Sequence, residues 1–278
     1  MNAIEIRNLC KSYKDFKIDN LNLTLHGGYI LGLVGENGAG KSTTIKLILD
    51  MINMDSGTIT LLGQDYKTCS KDDIGVVMEE NGLPECLNAK EMNSVFKNAY
   101  LNWNENEYYS YLKKFDLPLN KKIKDFSKGM KMKLYIACAL SHGAKLLILD
   151  EATSGLDPVV RDEILDIFYD FTRDENHSIL ISSHIVSDLE KLCDYIAFMH
   201  KGKLILFEEK DELINNCCTV LCDENTFNSI EKSDVLGMRR TDYGISAVVK
   251  RTAIKKNMNV TPINLEDLFV YMIRGYEK

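Results

Sequence analysis

Nine consecutive residues constrain this chain more than any others: Gly35-Glu36-Asn37-Gly38-Ala39-Gly40-Lys41-Ser42-Thr43. They match G-x-x-x-x-G-K-[ST], the pattern of a phosphate-binding loop. Glycines let the backbone turn its N–H groups inward around phosphate oxygens. Lys41 is placed to neutralise β and γ oxygens, and the Ser42 hydroxyl to hold Mg²⁺. The pattern acts only between a buried strand and a helix, and the flanks read that way. Tyr29 to Val34 is a short apolar run suited to a strand covered on both faces, and Thr44 to Met51 has helical spacing. The chain is therefore expected to be α/β with a parallel core sheet.

A phosphate loop needs a second group for its metal. Leu146-Leu147-Ile148-Leu149-Asp150-Glu151 ends a buried strand in two carboxylates, at the carboxyl edge where open α/β sheets bind ligands. Asp150 is expected to hold Mg²⁺. Glu151 is expected to orient or deprotonate the attacking water. Between the two motifs the periodicity turns helical over 91–100, 107–115 and 130–142, which reads as an insert between two halves of a sheet. Trp103 reads as packing inside that insert. Strands are expected at 3–9, 18–23, 58–62, 74–78 and 178–182, a helix at 159–171 with Pro158 at its first position, and a hairpin over Lys201-Gly202. Beyond about 215 the motifs stop. Short strands at 219–222 and 245–250 and a helix at 265–274 suggest a small α+β appendage.

Composition excludes other classes. The 278 residues carry 34 Lys+Arg against 41 Asp+Glu, a net charge of −7, which is not the footprint of a nucleic-acid-binding protein. A local basic patch is compatible with that balance. No apolar run reaches the roughly 20 residues of a membrane span, and the first residues have no signal-peptide core. The eight cysteines are too sparse for a disulfide scaffold. Cys217-Cys218-xxx-Cys222 does not fit a zinc pair and reads as thiols on and beside a short strand.

Further motifs bring a resemblance into view. Phe126-Ser127-Lys128-Gly129-Met130 precedes the acidic strand, Ser154-Gly155-Leu156-Asp157-Pro158 follows it, and His184 follows the strand 179–182. In this order they resemble the signature, D-loop and switch histidine of the ATP-binding cassette (ABC) ATPases. Tyr13 stands where that family stacks an aromatic ring on adenine. The resemblance spans about residues 1–215, and the FSKGM spelling and the ending 263–269 look like the branch serving ABC-2-type exporters. It implies a RecA-like core sheet, an antiparallel β subdomain, a helical subdomain at about 82–145, and an appendage at 216–278. It further implies ATP held by Tyr13 and 35–43, metal held by Ser42, Asp150 and Glu79, and catalysis by Glu151 and His184. Ser127, Lys128, Gly129 and Asp157 are implied to contact ATP across a dimer. The implied partners are a separate membrane permease, met around 79–88 and the helical insert, and a second cassette, identical or not, with no nucleic acid. That places the chain on the cytoplasmic face of a membrane. Two residues depart from the family pattern: Glu79 stands for the usual Gln, and Lys128 for the usual Gly, which would be strained if the backbone there needed positive φ. Soluble ABC proteins of ribosomes or DNA form an alternative, but they carry two cassettes or a long coiled coil. A bare P-loop kinase would lack the signature and Asp157.

Overall fold

The computed structural model describes residues 1–78, 82–255 and 258–276, with the backbone alone for Tyr276. The chain opens with β1 (Asn2–Ser12) and β2 (Lys17–His26), an antiparallel pair. β3 (Ile30–Gly35) then leads through the glycine loop into α1 (Lys41–Ile48). β4 (Ser56–Leu61) and β5 (Gln64–Asp65) return to β1 and complete a four-stranded antiparallel sheet, β2-β1-β4-β5. β6 (Ile74–Val77) precedes three helices: α2 (Ala89–Ala99), α3 (Glu105–Lys114) and α4 (Lys128–Leu140). Next come β7 (Leu146–Asp150), α5 (Pro158–Phe171), β8 (Ser178–Ser183) and α6 (Val186–Leu192), then the hairpin β9 (Tyr195–His200) and β10 (Lys203–Glu209). The central sheet runs β10-β9-β3-β8-β7-β6, parallel except for the hairpin edge. Lys201 and Gly202 have φ of 45° and 76°, the positive pair that a two-residue hairpin turn requires.

The central strands are apolar on both faces because each feeds two cores. On β3, Ile30 and Val34 join a core with the helices, while Leu31 and Leu33 join one with the antiparallel sheet and α1. On β7, Leu147 and Leu149 take the first side, Leu146 and Ile148 the second. A period of two with both positions apolar reads as a continuous run.

Helices of the insert start at side-chain caps rather than at the first apolar residue, so α2 and α3 begin two residues earlier than periodicity indicates. Asn88 Oδ1 accepts from Glu91 N (3.0 Å) and Glu91 Oε2 from Asn88 N (2.8 Å), a reciprocal capping box. Asn104 accepts from Glu107 N at 3.1 Å and caps α3. Trp103 does pack within this lobe: its Nε1 donates to Asn93 Oδ1 (2.8 Å), and its ring stacks on Phe96 with centroids 5.2 Å apart.

The final segment comprises α7 (Lys210–Asn216), β11 (Cys217–Cys222), α8 (Glu224–Asn228), β12 (Val235–Thr241), β13 (Gly244–Lys250), β14 (Asn259–Thr261) and α9 (Leu265–Tyr276). Its sheet has the order β12-β13-β11-β14 and a small core of its own around Cys218, Val220, Ile245 and Val249. The expected boundary at 215 falls in the last turn of α7, and the α+β segment beyond it packs onto the cassette. Leu265, Leu268 and Met272 of α9 lie in the same core as Leu189, Leu192 and Phe198. Glu190 Oε2 accepts from Leu265 N (3.0 Å), and Phe269 packs on Phe198 with centroids 5.1 Å apart. An amphipathic helix must bury its apolar stripe, and α9 does so against the central domain. Cys217 and Cys218 are buried free thiols, and burial pushes Cys217 up to about 11.

Candidate active site

The glycine loop forms between the end of β3 and the start of α1, as its sequence context requires. Gly38 and Gly40 have φ of 82° and 109°, a region L side chains rarely adopt. At Gly40 a side chain would also displace its neighbours: a Cβ there would lie 2.6 Å from Ile18 Cδ1 and 2.9 Å from Phe16 Cζ. Lys41 is buried, and its Nζ donates to Gly35 O (2.7 Å) and Glu36 O (3.4 Å). The loop thus curls around its own lysine, which holds the ammonium at the loop's centre. Thr43 lines the same cleft.

Parallel register brings the carboxylates to that loop. Asp150 is paired with Ser182 across β7 and β8, and Ser182 Oγ donates to Asp150 Oδ1 at 2.5 Å. Ser42 Oγ donates to the same oxygen at 3.2 Å. Ser42 and Asp150 therefore offer converging oxygens, the donor type a hard divalent cation takes. Glu151 turns sharply, with φ of 55°, a left-handed conformation costly for a non-glycine residue and common at functional sites. The turn aims its carboxylate back into the cleft: Oε1 is 3.6 Å from Lys41 Nζ, and Oε2 is 2.7 Å from His184 Nδ1. His184 follows β8 and is half exposed.

These groups share one cleft of about 610 Å³, lined by Phe16, Glu36, Asn37, Gly38, Lys41, Ser42, Glu151, Ser154 and His184 among others. Phe16 is the aromatic wall of the cleft. Tyr13 lies beyond it, half exposed, with ring centroids 6.5 Å apart. Phe16 and Ser182 escaped sequence reading. Neither belongs to a spaced motif, and only the packing on Gly40 and the β7/β8 register place them. Glu79 lies outside the described residues.

The remaining motif residues sit elsewhere. Ser127 caps α4, its Oγ accepting from Met130 N at 3.2 Å. Lys128 is the first residue of α4 and has no positive φ, which removes the question of strain. Its side chain lies across the next motif: a Cβ on Gly155 would be 2.6 Å from Lys128 Nζ. Gly129 is unlike the loop glycines, since its φ is not positive, and a Cβ there would meet only ordinary contacts with Val160 and Leu156 at 3.7 Å or more. Asp157 Oδ1 accepts from Val159 N (3.2 Å) and Val160 N (3.1 Å), capping α5 just before Pro158. Asp157→Ala should therefore lower stability by about 0.5–2 kcal/mol, measured by urea unfolding, with ATP affinity retained. Ser127, Lys128, Gly129 and Asp157 do not line the cleft.

A family model described as ABC transporter matches residues 18–154. The lantibiotic transport ATP-binding protein SrtF of Streptococcus pyogenes is 39% identical over 77% of this chain and 96% of its own length. The chain belongs to the ABC transporter family. The bacitracin transport ATP-binding protein BcrA of Bacillus licheniformis is 36% identical over 73% of this chain and 68% of its own. A solved ATP-binding subunit of an ABC transporter superposes with a TM-score of 0.67 at 29% identity, covering 77% of this chain and 92% of that one. The fold is the ABC-type ATP-binding cassette, with its parallel core sheet and antiparallel subdomain. The protein is an ATP-binding, ATP-hydrolysing subunit of an ABC transporter. Among the described residues no helix is long and apolar enough to cross a membrane.

Proposed function

We propose that this ABC subunit drives an exporter by closing head-to-tail on a second cassette around ATP. One observation carries the reading. Lys41, Ser42, Glu151 and His184 line one cleft, while Ser127, Gly129 and Asp157 lie outside it on the same chain. Gly129 meets no steric demand from its own chain, so the absence of a side chain serves close approach by something else. The start of α4 offers a hydroxyl and N–H groups to an anion. A second cassette would bring the γ-phosphate of its ATP to Ser127, Lys128 and Gly129, with Asp157 at the seam.

Within the cleft, residues 35–43 wrap the phosphates, Lys41 neutralises them, and Phe16 with Tyr13 offers the aromatic wall for adenine. Ser42 and Asp150, together with Glu79 from the segment after β6, would hold Mg²⁺, which supplies charge neutralisation at the β and γ oxygens. Glu151 takes the proton of the attacking water as its oxygen bonds to the γ-phosphorus and the β–γ bridge breaks, with ADP as the leaving group. His184, bonded to Glu151 Oε2, keeps that carboxylate oriented.

The export direction is carried by the similarity to subunits named for lantibiotic and bacitracin transport and by the branch-like signature. The permease is a separate membrane chain. Its surface on this subunit is 79–88 with the helical lobe, which puts the subunit at the cytoplasmic membrane face. Without ATP the chain should sediment as a monomer or weak dimer.

Ser127→Arg tests the two-cassette arrangement. The variant should bind ATP as the parent does, since Ser127 is not in the cleft, yet fail to form an ATP-dependent dimer and lose turnover. Fluorescent-nucleotide titration and light scattering read the two effects. Normal ATP-dependent dimerisation by the variant would refute the arrangement.

A further inference from the structure

The segment leading into and through the signature is the most basic part of an acidic chain. Residues 121–133 hold six lysines and one aspartate, a local +5 within a chain of net −7. Three of the lysines are tied down: Lys122 to Glu91 (3.0 Å), Lys131 to Glu85 (2.5 Å) and Lys133 to Glu163 (2.6 Å). The other three, Lys121, Lys124 and Lys128, are exposed and have no carboxylate within ion-pair distance among the described residues. They flank Ser127 in sequence: Lys121 and Lys124 in the connection from α3 to α4, and Lys128 as the first residue of α4.

We propose that this lysine-rich surface is an electrostatic docking face for the nucleotide-loaded face of a second cassette. The proposal rests on the two-cassette reading above and adds what steers and steadies closure. The complementarity is built into one chain. Counting the three glutamates paired to it, this surface carries +2 and the rest of the molecule −9, and a bound triphosphate makes the cleft side more negative. Two copies placed head-to-tail set each basic face against the other's acidic body. Such complementarity raises the association rate and fixes register. Lys128 stands at the phosphate itself, while Lys121 and Lys124 act around it without belonging to either ATP site.

The test uses the full chain carrying Glu151→Gln, which keeps ATP intact, with Lys121→Gln/Lys124→Gln added in a second protein. Both lysines are exposed, and affinity of the monomer for a fluorescent ATP analogue should be equal in the two proteins. Sedimentation with ATP should show the parent dimer weakening about tenfold or more between about 50 and 300 mM NaCl, as charges beyond a Debye length of about 10 Å at 0.1 M become screened. The double variant should dimerise about fivefold to tenfold more weakly at low salt, because four surface charges are lost per dimer at the modest value of exposed pairs, and its salt dependence should flatten. Equal dimerisation of parent and variant at every salt concentration would overturn the docking face while leaving the two-cassette reading standing. Failure of the parent to dimerise with ATP at any salt would overturn that reading and the docking face with it. Unchanged dimerisation together with lost cosedimentation on phosphatidylglycerol vesicles would assign the lysines to a lipid surface instead, and would also overturn the proposal.

Discussion

Glu151→Gln is expected to lower steady-state ATP turnover by about 10²–10⁴-fold, the usual contribution of a positioned acid–base residue, while ATP still binds. Glutamine keeps the shape of the side chain and can still hydrogen-bond His184, whose Nδ1 is 2.7 Å from Glu151 Oε2. It cannot accept a proton from water. If closure waits on hydrolysis to reverse, the variant should also accumulate as an ATP-bound dimer, visible by light scattering. Asp150→Asn is expected to differ. Asp150 accepts from Ser42 and Ser182, while Glu151 meets Lys41 and His184, so loss of the Asp150 charge should weaken the dependence on Mg²⁺. A Glu151→Gln protein turning over ATP at near the parent rate would remove Glu151 as the base and leave His184 or substrate-assisted attack.

The second large effect concerns α9. Leu268 is fully buried in the core shared with Leu189 and Phe198, so Leu268→Ala should cost about 2–5 kcal/mol, seen as a fall in the midpoint of chemical unfolding. Ending the chain at Asn215 should do more. It strips Leu265, Leu268 and Met272 from that core together with Phe269 from Phe198, each buried side chain worth about 1.5–3 kcal/mol. The shortened protein is expected to aggregate or melt far below the full chain, although every phosphate-binding motif is present. A truncated protein with the parent's melting temperature would show that α9 is dispensable to the cassette.

The candidate site was legible in the sequence where its chemistry sits on consecutive residues. Residues 35–43 and 146–151 each contain a strand end and its functional groups in one stretch, so local geometry suffices to interpret them. The helix start at Pro158 was readable for the same reason, and Asp157 caps it. Phe16 was not legible, because an aromatic residue in the turn between β1 and β2 has no signature of its own. It enters the cleft because β2 packs over Gly40, where Phe16 Cζ lies 2.9 Å from the place a Cβ would take.

By itself, the sequence determined the order of motifs, the buried parallel strands, the three helices of the insert and the candidacy of Lys41, Ser42, Asp150 and Glu151 for one site. All of these follow from short-range periodicity and from backbone demands that a few residues express. Tertiary structure alone decided that Ser182 shares Asp150 with Ser42, that Glu151 turns through a positive φ toward Lys41 and His184, that Lys128 lies across Gly155, and that α9 belongs to the central core. Each of those depends on strand register or on which apolar face finds a partner. Register is set by the packing of whole sheets, and a helix's apolar stripe shows that it must be covered without showing by what, so both emerge only when distant segments meet.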